Sequence, residues 1–244
     1  MTRARYHKFS FLLLVLILTL DACSAESRSM KSLTINCKYG YYIIVHETDS
    51  DGWIKGELYD ADGAQVNMPT CWMDYSNEDS DFNDIIILWF AEDNQLGYYD
   101  LKYSYFQGPA YDDISYRTRN NQNYIAVSVK NKWGFVRRNN GQISVPIMYD
   151  DYEDYENGFA LVCISDLKGE PYSDRWMLIN GDGVPVRFDP LILPVTVPNQ
   201  KGLLIVESME QGYTVYYMAT TNGSIMYNEP FLLFSEAFQY YLDP

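Results

Sequence analysis

The sequence predicts an all-β protein of about five tandem repeats, each built from short antiparallel strands. Aromatic residues recur at intervals of 39, 38, 39 and 39 residues, and a constant period of roughly 20 to 50 residues is typical of repeat arrays. Short runs of β-forming residues occur along the chain, whereas no stretch of about 11 residues keeps the apolar period of a helix. The aromatic residues that define the repeat are Trp72, Tyr111, Tyr149, Phe188 and Tyr227.

Each repeat is predicted to contain a β-hairpin. Asn-Gly and Asp-Gly dipeptides favour two-residue type I′ turns, because both central residues of that turn need a positive φ. Dipeptides of this kind recur at Asp62-Gly63, Asn140-Gly141, Asp182-Gly183 and Asn222-Gly223.

A second element of each repeat is a short apolar strand. The run Ile85-Ile86-Ile87-Leu88 is continuously apolar, which indicates burial on both faces of a sheet. The predicted strands of this type are residues 42–46, 85–89, 124–129, 159–164, 203–207 and, as a sixth candidate, 238–242.

About three strands per period favour an open twisted array, because a propeller blade usually has four. The alternative is a five-bladed propeller, closed by pairing of residues 42–46 with the end of the chain. The predicted domains are a signal peptide at 1–22, a flexible tether at 23–36 and a β-repeat domain at 37–244. The repeat units are placed near 53–94, 95–132, 133–171, 172–210 and 211–244.

The N-terminus predicts export. Three basic residues precede an apolar run at 11–20, which is the arrangement of a secretory signal. The run is shorter than the roughly 20 residues that a transmembrane helix needs. The basic residues are Arg3, Arg5 and Lys8.

The end of this apolar run resembles the lipobox of bacterial lipoproteins. Leu20, Ala22 and Cys23 match that motif, although Asp21 is an unusual residue within it. The resemblance implies that Cys23 is the lipid attachment residue and that the protein is anchored in the cell envelope, in the outer membrane. Ordinary cleavage near residues 24–25, which would give a secreted protein, remains the alternative.

The acidic charge excludes nucleic acid as a partner. The chain has a net charge of −15, and removal of residues 1–22 takes away three basic residues and one acidic residue, which leaves −17. Nucleic acids and anionic membrane surfaces are bound through an excess of Lys and Arg.

The cysteines predict neither a metal site nor a cofactor. After lipidation of Cys23 three would remain, with no spacing typical of zinc ligands. Cys163 lies in an apolar run and is expected to be a buried hydrophobic residue. Cys37 and Cys71 are the one pair that we consider for a disulfide bond.

The acidic pairs Asp112-Asp113 and Asp150-Asp151 are the candidates for a glycosidase-like mechanism, which needs two carboxyl groups across a sugar. Both pairs occupy the same position of the repeat, so that a turn common to the units explains them better. His46 would be the single histidine of the mature chain, and it has no nucleophile-elbow motif beside it. We therefore assign no catalytic residue.

Residues 47–52 have the oxygen-rich composition of a calcium loop. The EF-hand pattern fails, because the glutamate expected at the twelfth position is Leu58. A hairpin turn is the better interpretation, and no metal ligand is assigned.

The third repeat resembles one unit of the WG (KWG) repeat, a β-rich module of bacterial and often cell-surface proteins. The resemblance lies in Trp133-Gly134-Phe135-Val136, Asn140-Gly141, Pro146 and Tyr149-Asp150-Asp151. It is looser in the other repeats. The resemblance implies no catalytic residue, because members of this family mostly lack an assigned activity.

These observations predict a non-enzymatic lipoprotein of the cell envelope, whose repeats present a binding surface to a protein, peptide or glycan. The 23 tyrosines suit such a surface, because their rings combine apolar area with a polar tip. The alternative is an envelope hydrolase that uses carboxylates on a β-repeat scaffold.

Overall fold

The computed structural model describes residues 33–75, 84–115, 123–165, 175–189, 191–226 and 229–242, without the side chains of residues 154 and 175. Strands dominate this part of the chain, which confirms the all-β class. A short 3₁₀ turn lies at Lys38–Gly40, and one helix, α1, at Phe234–Leu242. The strands are β1 (Leu33–Asn36), β2 (Tyr42–Thr48), β3 (Ile54–Tyr59), β4 (Trp72–Asp74), β5 (Ile85–Phe90), β6 (Gln95–Asp100), β7 (Tyr105–Tyr111), β8 (Asp113–Ile114), β9 (Tyr124–Val129), β10 (Lys132–Arg137), β11 (Ile143–Tyr149), β12 (Asp151–Glu156), β13 (Phe159–Ile164), β14 (Arg175–Asn180), β15 (Ile192–Pro194), β16 (Leu203–Glu210) and β17 (Tyr213–Thr220).

The same strand order repeats five times along the chain. Each unit begins with one strand, which is shorter than the next two except in unit four, continues with a hairpin of two strands and ends with a closing segment. The first strands are β1, β4, β8, β12 and β15, and all pairings are antiparallel. Units one and two share the sheet β1–β7, whereas β8–β11, β12–β14 and β15–β17 form separate sheets.

Each unit has four elements rather than about three. The closing segment is a full strand in units two and three, where it forms β7 and β11. In the other units it is reduced to an isolated bridge, at Tyr59–Gln65, Ile179–Pro185 and Ala219–Ile225. The first strand of unit one is Leu33–Asn36, a segment that the sequence analysis placed in the tether.

The five predicted apolar strands from 42–46 to 203–207 all lie within the first strand of a hairpin, namely β2, β5, β9, β13 and β16. The sixth candidate, 238–242, is wrong, because these residues belong to α1. Phe234, Phe238 and Tyr241 follow the spacing of one helical face, and their rings stack at 5.5 and 5.7 Å. With nine residues, α1 is shorter than the window in which a helical period was sought.

The turns at the predicted Asx-Gly dipeptides are not the two-residue type I′ hairpin turns that the sequence analysis expected. Asp62-Gly63 and its counterparts lie after the hairpin, before the closing segment. Only the glycine of each dipeptide has a positive φ, which is 78° at Gly63. The side chain of Asp60 accepts the backbone N–H groups of Asp62 and Ala64 and so stabilises the turn. Two consecutive positive φ values occur in the hairpins at Lys130-Asn131, Asn157-Gly158 and Gln211-Gly212, and also at Tyr39-Gly40 in the 3₁₀ turn.

The glycine of the Trp-Gly motif, Gly134, is required by a close approach of two strands. It lies at a register shift between β10 and β11, where an added Cβ would come within 2.7 Å of the backbone of Val145 and Ile147. Gly97 holds the same place in unit two, against the backbone of β7. A side chain at either position would separate the closing strand from the hairpin.

The hydrophobic core consists of clusters between consecutive units. One cluster joins units one and two, and the next three join units two to three, three to four and four to five. The last cluster lies between the unit-five strands and α1, where Ala237 is fully buried. Stacking of neighbours thus buries both faces of the inner hairpins, as expected for a repeat array.

The two ends of the array differ. α1 covers the outer face of unit five, whereas the outer face of unit one carries half-buried polar and aromatic side chains such as Tyr42, Glu57 and Tyr59. A polar outer face is typical of a terminal repeat. Among the described residues no buried cluster joins units one and five, and none of the sheets closes into a barrel.

Candidate functional site

The candidate site is a recess of about 430 Å³ at the junction of units one and two. We call it the Trp72 recess. It is formed by the ends of β3, β4 and β5, the β5–β6 turn and β7. Its side chains are Lys55, Pro69, Trp72, Glu92, Asp93 and Pro109, above a floor of Cys71 and Phe90. The volume lies within the range of about 300–1,000 Å³ that is usual for ligand sites.

Trp72 is held in place by its neighbours in the sheet. Its backbone pairs with Lys55 on β3 and with Trp89 on β5. The ring is half-buried, and the Lys55 ammonium lies 5.8 Å from its centre. One face of an indole ring therefore borders the recess together with a cation that is not fixed by an ion pair to any described residue.

The strand register separates Trp72 from the other aromatic residues of the period. Tyr111 and Tyr149 end the closing strands β7 and β11, and both are buried between units. In the strand register Trp72 is equivalent to Asp113 and Asp151, which lie two positions after Tyr111 and Tyr149. Each of these three residues pairs with the first strand of the hairpin in its unit. Trp72 is thus a residue of the recess rather than of the core.

The acidic wall of the recess is the β5–β6 turn. Glu92 and Asp93 are exposed there, and the turn is completed by Asn94 with a φ of 52°. Neither carboxylate forms an ion pair within the part of the chain that the structure describes. Both are accessible to an incoming ligand.

The floor of the recess is chemically inert. Phe90 and Cys71 are buried, and burial raises the pKa of the Cys71 thiol to about 11. A thiol with that pKa stays protonated at neutral pH and is a poor nucleophile. The recess therefore combines a binding surface with no activated nucleophile in its floor.

A second concentration of polar side chains is the Arg138 cluster, which joins units one, two and three. Arg138 is 1% exposed, and its Nε donates to Asp100 Oδ2 over 2.6 Å. Its Nη2 donates to Asp84 Oδ2 over 3.3 Å. Asp84 Oδ1 also accepts a hydrogen bond from the Tyr39 hydroxyl over 3.2 Å and lies 3.3 Å from the Lys38 Nζ.

The charges of the Arg138 cluster balance. Burial opposes the charge of Arg138, but the hydrogen bonds and negative charges of Asp100 and Asp84 outweigh it and raise the Arg138 pKa. Two carboxylates face two cations, and the carboxylate of Asp100 also accepts the backbone N–H of Lys102 and Tyr103. The cluster thus fixes three units against one another and leaves no unmatched charge for chemistry.

The Asp-Asp pairs belong to the scaffold. Asp112 Oδ2 accepts the backbone N–H of Lys130, and Asp150 Oδ2 accepts that of Ser165. In each pair the second aspartate accepts the N–H of the residue that follows it, at 2.8 Å. Both pairs thus bind the backbone in the same way, in keeping with a position shared by the units.

The other residues singled out from the sequence have the following places in the structure. Trp133 packs on Tyr152 at 4.8 Å between units three and four, and Phe188 packs between units four and five. Cys37, Cys71 and Cys163 are free thiols, so Cys37 and Cys71 form no disulfide in this structure. Tyr227 and Cys23 lie outside the described residues.

The two other candidates are surface features. His46 is exposed on β2, with Nε2 3.7 Å from Glu57 Oε2. In the segment 47–52, Asp49 accepts the N–H groups of Asp51 and Trp53 and forms a hairpin turn. The described residues contain no group of three or more potential metal ligands. They also contain no helix long and apolar enough to cross a membrane.

Sequence reasoning missed Lys55, Glu92 and Asp93 of the recess, and also Arg138 with its partners. These residues do not recur with the period, and their contacts depend on the strand register. The available signal for the recess was the Glu92-Asp93-Asn94 turn, an acidic turn directly after the most apolar strand.

The comparison with family models decides the nature of the repeat. Residues 133–167 match the model described as WG containing repeat. The chain contains a WG repeat. The matched segment begins at Trp133 in β10 and extends past β13, so that the WG repeat spans the junction of units three and four.

Several solved structures are similar to this chain at low identity. A eukaryotic initiation factor matches at 14% identity over 84% of this chain and 56% of its own, with a TM-score of 0.38. Kluyveromyces lactis Hsv2 matches at 12% identity over 80% of this chain and 62% of its own, with a TM-score of 0.30. BamB from Moraxella catarrhalis matches at 9% identity over 79% of this chain and 74% of its own, with a TM-score of 0.28. The chain thus spans less than two thirds of the length of the first two proteins. A comparison with curated proteins gives no match.

Proposed function

We propose that this protein is a non-enzymatic lipoprotein of the cell envelope, whose WG-type repeat scaffold holds a partner at the Trp72 recess. Export would follow the N-terminal signal, and a lipid on Cys23 would anchor the chain in the outer membrane. The partner would be bound by the scaffold rather than converted by it.

The observation that carries this proposal is the half-buried ring of Trp72 in an open recess. Aromatic side chains supply a large contact area at low cost in side-chain entropy, and tryptophan is enriched among the residues that dominate binding energy. Tyr111 and Tyr149, which share its sequence period but lie two positions earlier in the strand register, are buried in the core. Trp72 is therefore available to a partner in a way that they are not.

The placement of the acidic residues supports binding over hydrolysis. A carboxylate pair for glycoside hydrolysis must face a common substrate. Asp112 and Asp150 lie in different units, and each is engaged by backbone N–H groups of its own unit. These hydrogen bonds give both carboxylates a role in holding the strands, and the two do not face a common substrate.

Site-specific photo-crosslinking in cells that express the full chain tests the proposal. A photoreactive residue at Thr70, which is exposed at the recess, is expected to give a discrete adduct, whereas one at the exposed Asp62 in the neighbouring turn is not. Trp72→Ala should remove the Thr70 adduct, and Tyr213→Ala, at an exposed tyrosine of unit five, should preserve it. Equal adducts from both positions, or an adduct that survives Trp72→Ala, would contradict the proposal.

A further inference from the structure

We propose that the Trp72 recess binds a cationic side chain, a lysine or arginine, of a peptide segment in its partner. This inference rests on the proposed function, because it names the chemistry of the ligand for the same recess. Three features of the recess carry it: the ring of Trp72, the two free carboxylates, and the rigid walls.

The ring of Trp72 already receives a cation. The Lys55 ammonium lies 5.8 Å from the ring centre, within the distance of about 6 Å at which a cation is attracted to an indole face. Lys55 is attached through a flexible four-carbon stem and has no ion-pair partner among the described residues. It can therefore move aside when a cation of the ligand enters, and its position marks where that cation would lie.

The carboxylates of Glu92 and Asp93 supply the opposite charge. They line the same recess, are exposed, and form no ion pair with a described residue. By contrast, Asp112 and Asp150, which do share a repeated position, are engaged by backbone N–H groups. Glu92 and Asp93 thus have acceptor oxygens available for the hydrogen bonds of an ammonium or guanidinium group.

The walls of the recess are rigid and include acceptors for a cation. Pro69 and Pro109 stand on either side, have no backbone N–H to donate, and are fixed in φ. Besides Lys55, the donor side chains of the recess are the Thr70 hydroxyl and the Trp72 indole N–H. A cation needs only acceptors and an aromatic face, and the recess provides both.

The charge of the whole protein acts in the same direction. A net charge of −15 attracts cationic segments and accelerates their encounter with the recess at low ionic strength. A neutral glycan would not be steered in this way. The chemistry of the recess and the long-range field thus select the same class of ligand.

Calorimetry on the full chain, purified in a non-ionic detergent, tests this inference with three probes: the peptide acetyl-Gly-Gly-Lys-Gly-Gly-amide, the same peptide with norleucine in place of lysine, and a neutral chito-oligosaccharide. The lysine peptide should bind about tenfold more tightly than the norleucine peptide at low salt, and the difference should shrink in 0.5 M NaCl. Trp72→Leu and the double variant Glu92→Gln/Asp93→Asn should each weaken binding about tenfold. Lys55→Met should strengthen it a few-fold, because the ligand no longer competes with an internal cation.

The outcomes separate this inference from the proposed function. Saccharide binding that depends on Trp72, without binding of the lysine peptide, would refute the cationic ligand and leave the proposed function in place. Equal affinity for the lysine and norleucine peptides, or no binding of any probe, would also refute the cationic ligand. Because residues 92 and 93 are exposed in a turn, their double variant is expected to fold, and unchanged affinity in that variant would overturn the inference.

Discussion

Arg138 and Asp100 form an ion pair inside the array, where Nε donates to Oδ2 over 2.6 Å and both side chains are at most 1% exposed. Arg138 follows β10 of unit three, and Asp100 ends β6 of unit two. The pair therefore links two repeats through charge in addition to their apolar contacts. A buried pair of this kind is balanced only while both partners are present.

Removal of one partner should therefore destabilise the array strongly. Asp100→Asn removes the carboxylate nearest to the buried charge of Arg138, and we expect a loss of about 3–5 kcal/mol in the free energy of unfolding. The double variant Asp100→Asn/Arg138→Met removes both charges and should recover part of that loss. Urea denaturation of the wild type, the two single variants Asp100→Asn and Arg138→Met, and the double variant measures the coupling, and strictly additive effects would show that the pair does not act as a unit.

The glycine of the Trp-Gly motif should resist substitution for a steric reason. In Gly134→Ala the added Cβ meets the backbone of β11 at 2.7 Å, and we expect a loss of about 1–3 kcal/mol. Gly108→Ala in β7 is the matched control, because its Cβ would find no atom closer than 3.9 Å and its φ is not positive. Thermal unfolding compares the two, and similar losses in both variants would argue against a close approach at Gly134.

Substitution within one core cluster should affect neighbouring units first. Phe135 is fully buried and packs edge-to-face on Tyr152 and Tyr155 of the next unit, at 5.5 and 4.7 Å. Phe135→Ala should cost about 3–5 kcal/mol. Hydrogen exchange should accelerate first in units three and four, since repeats contact only their neighbours. Equal acceleration from residue 33 to residue 242 would indicate one cooperative domain instead.

Acid should weaken the junction of units three and four through Asp150. The hydrogen bond from Lys132 and the backbone N–H of Ser165 lower the Asp150 pKa. The carboxylate therefore stabilises the fold above its unfolded pKa of about 3.9, and this contribution is lost as the pH falls through the lower folded-state pKa. It should not exceed about 1 kcal/mol, because the pair is partly exposed. Stability curves between pH 5 and 2 should be flatter in Asp150→Asn than in the wild type.

Cys23 should determine whether the protein partitions with the membrane. Cys23→Ala removes the proposed acceptor of the lipid, and two or more acyl chains are needed for stable anchoring. We expect the wild type in the detergent phase and the variant in the aqueous phase after phase separation. A wild-type chain that is already aqueous and begins after residue 24 or 25 would mean ordinary secretion.

The class of fold could be predicted because strand patterns and the aromatic period depend on local sequence. The hairpin strands β2, β5, β9, β13 and β16 all follow from short apolar runs. The unit boundaries could not be predicted, because they depend on which strand closes each unit. α1 was missed, since its aromatic residues span too few turns to establish a helical period.

The candidate site was predicted only in part, for the same physical reason. Trp72 stood out through its spacing, but its exposure depends on the register that places it opposite Trp89. Glu92 and Asp93 lie 20 and 21 residues further along, and only the return of the chain through β5 brings them to the same recess. Asp100 and Arg138, 38 residues apart, are joined in the same way by the stacking of units.

The most direct test of the Trp72 recess as the binding site is hydrogen exchange on the full chain in isolated envelope vesicles and after purification. Occupation by a partner should slow exchange at residues 70–72 and 91–93 in the vesicles, and Trp72→Ala should abolish this difference. The exposed hairpin turn at residues 211–212 should exchange alike in both preparations. Identical exchange at 70–72 and 91–93 in the two preparations, or protection that persists in Trp72→Ala, would contradict the account.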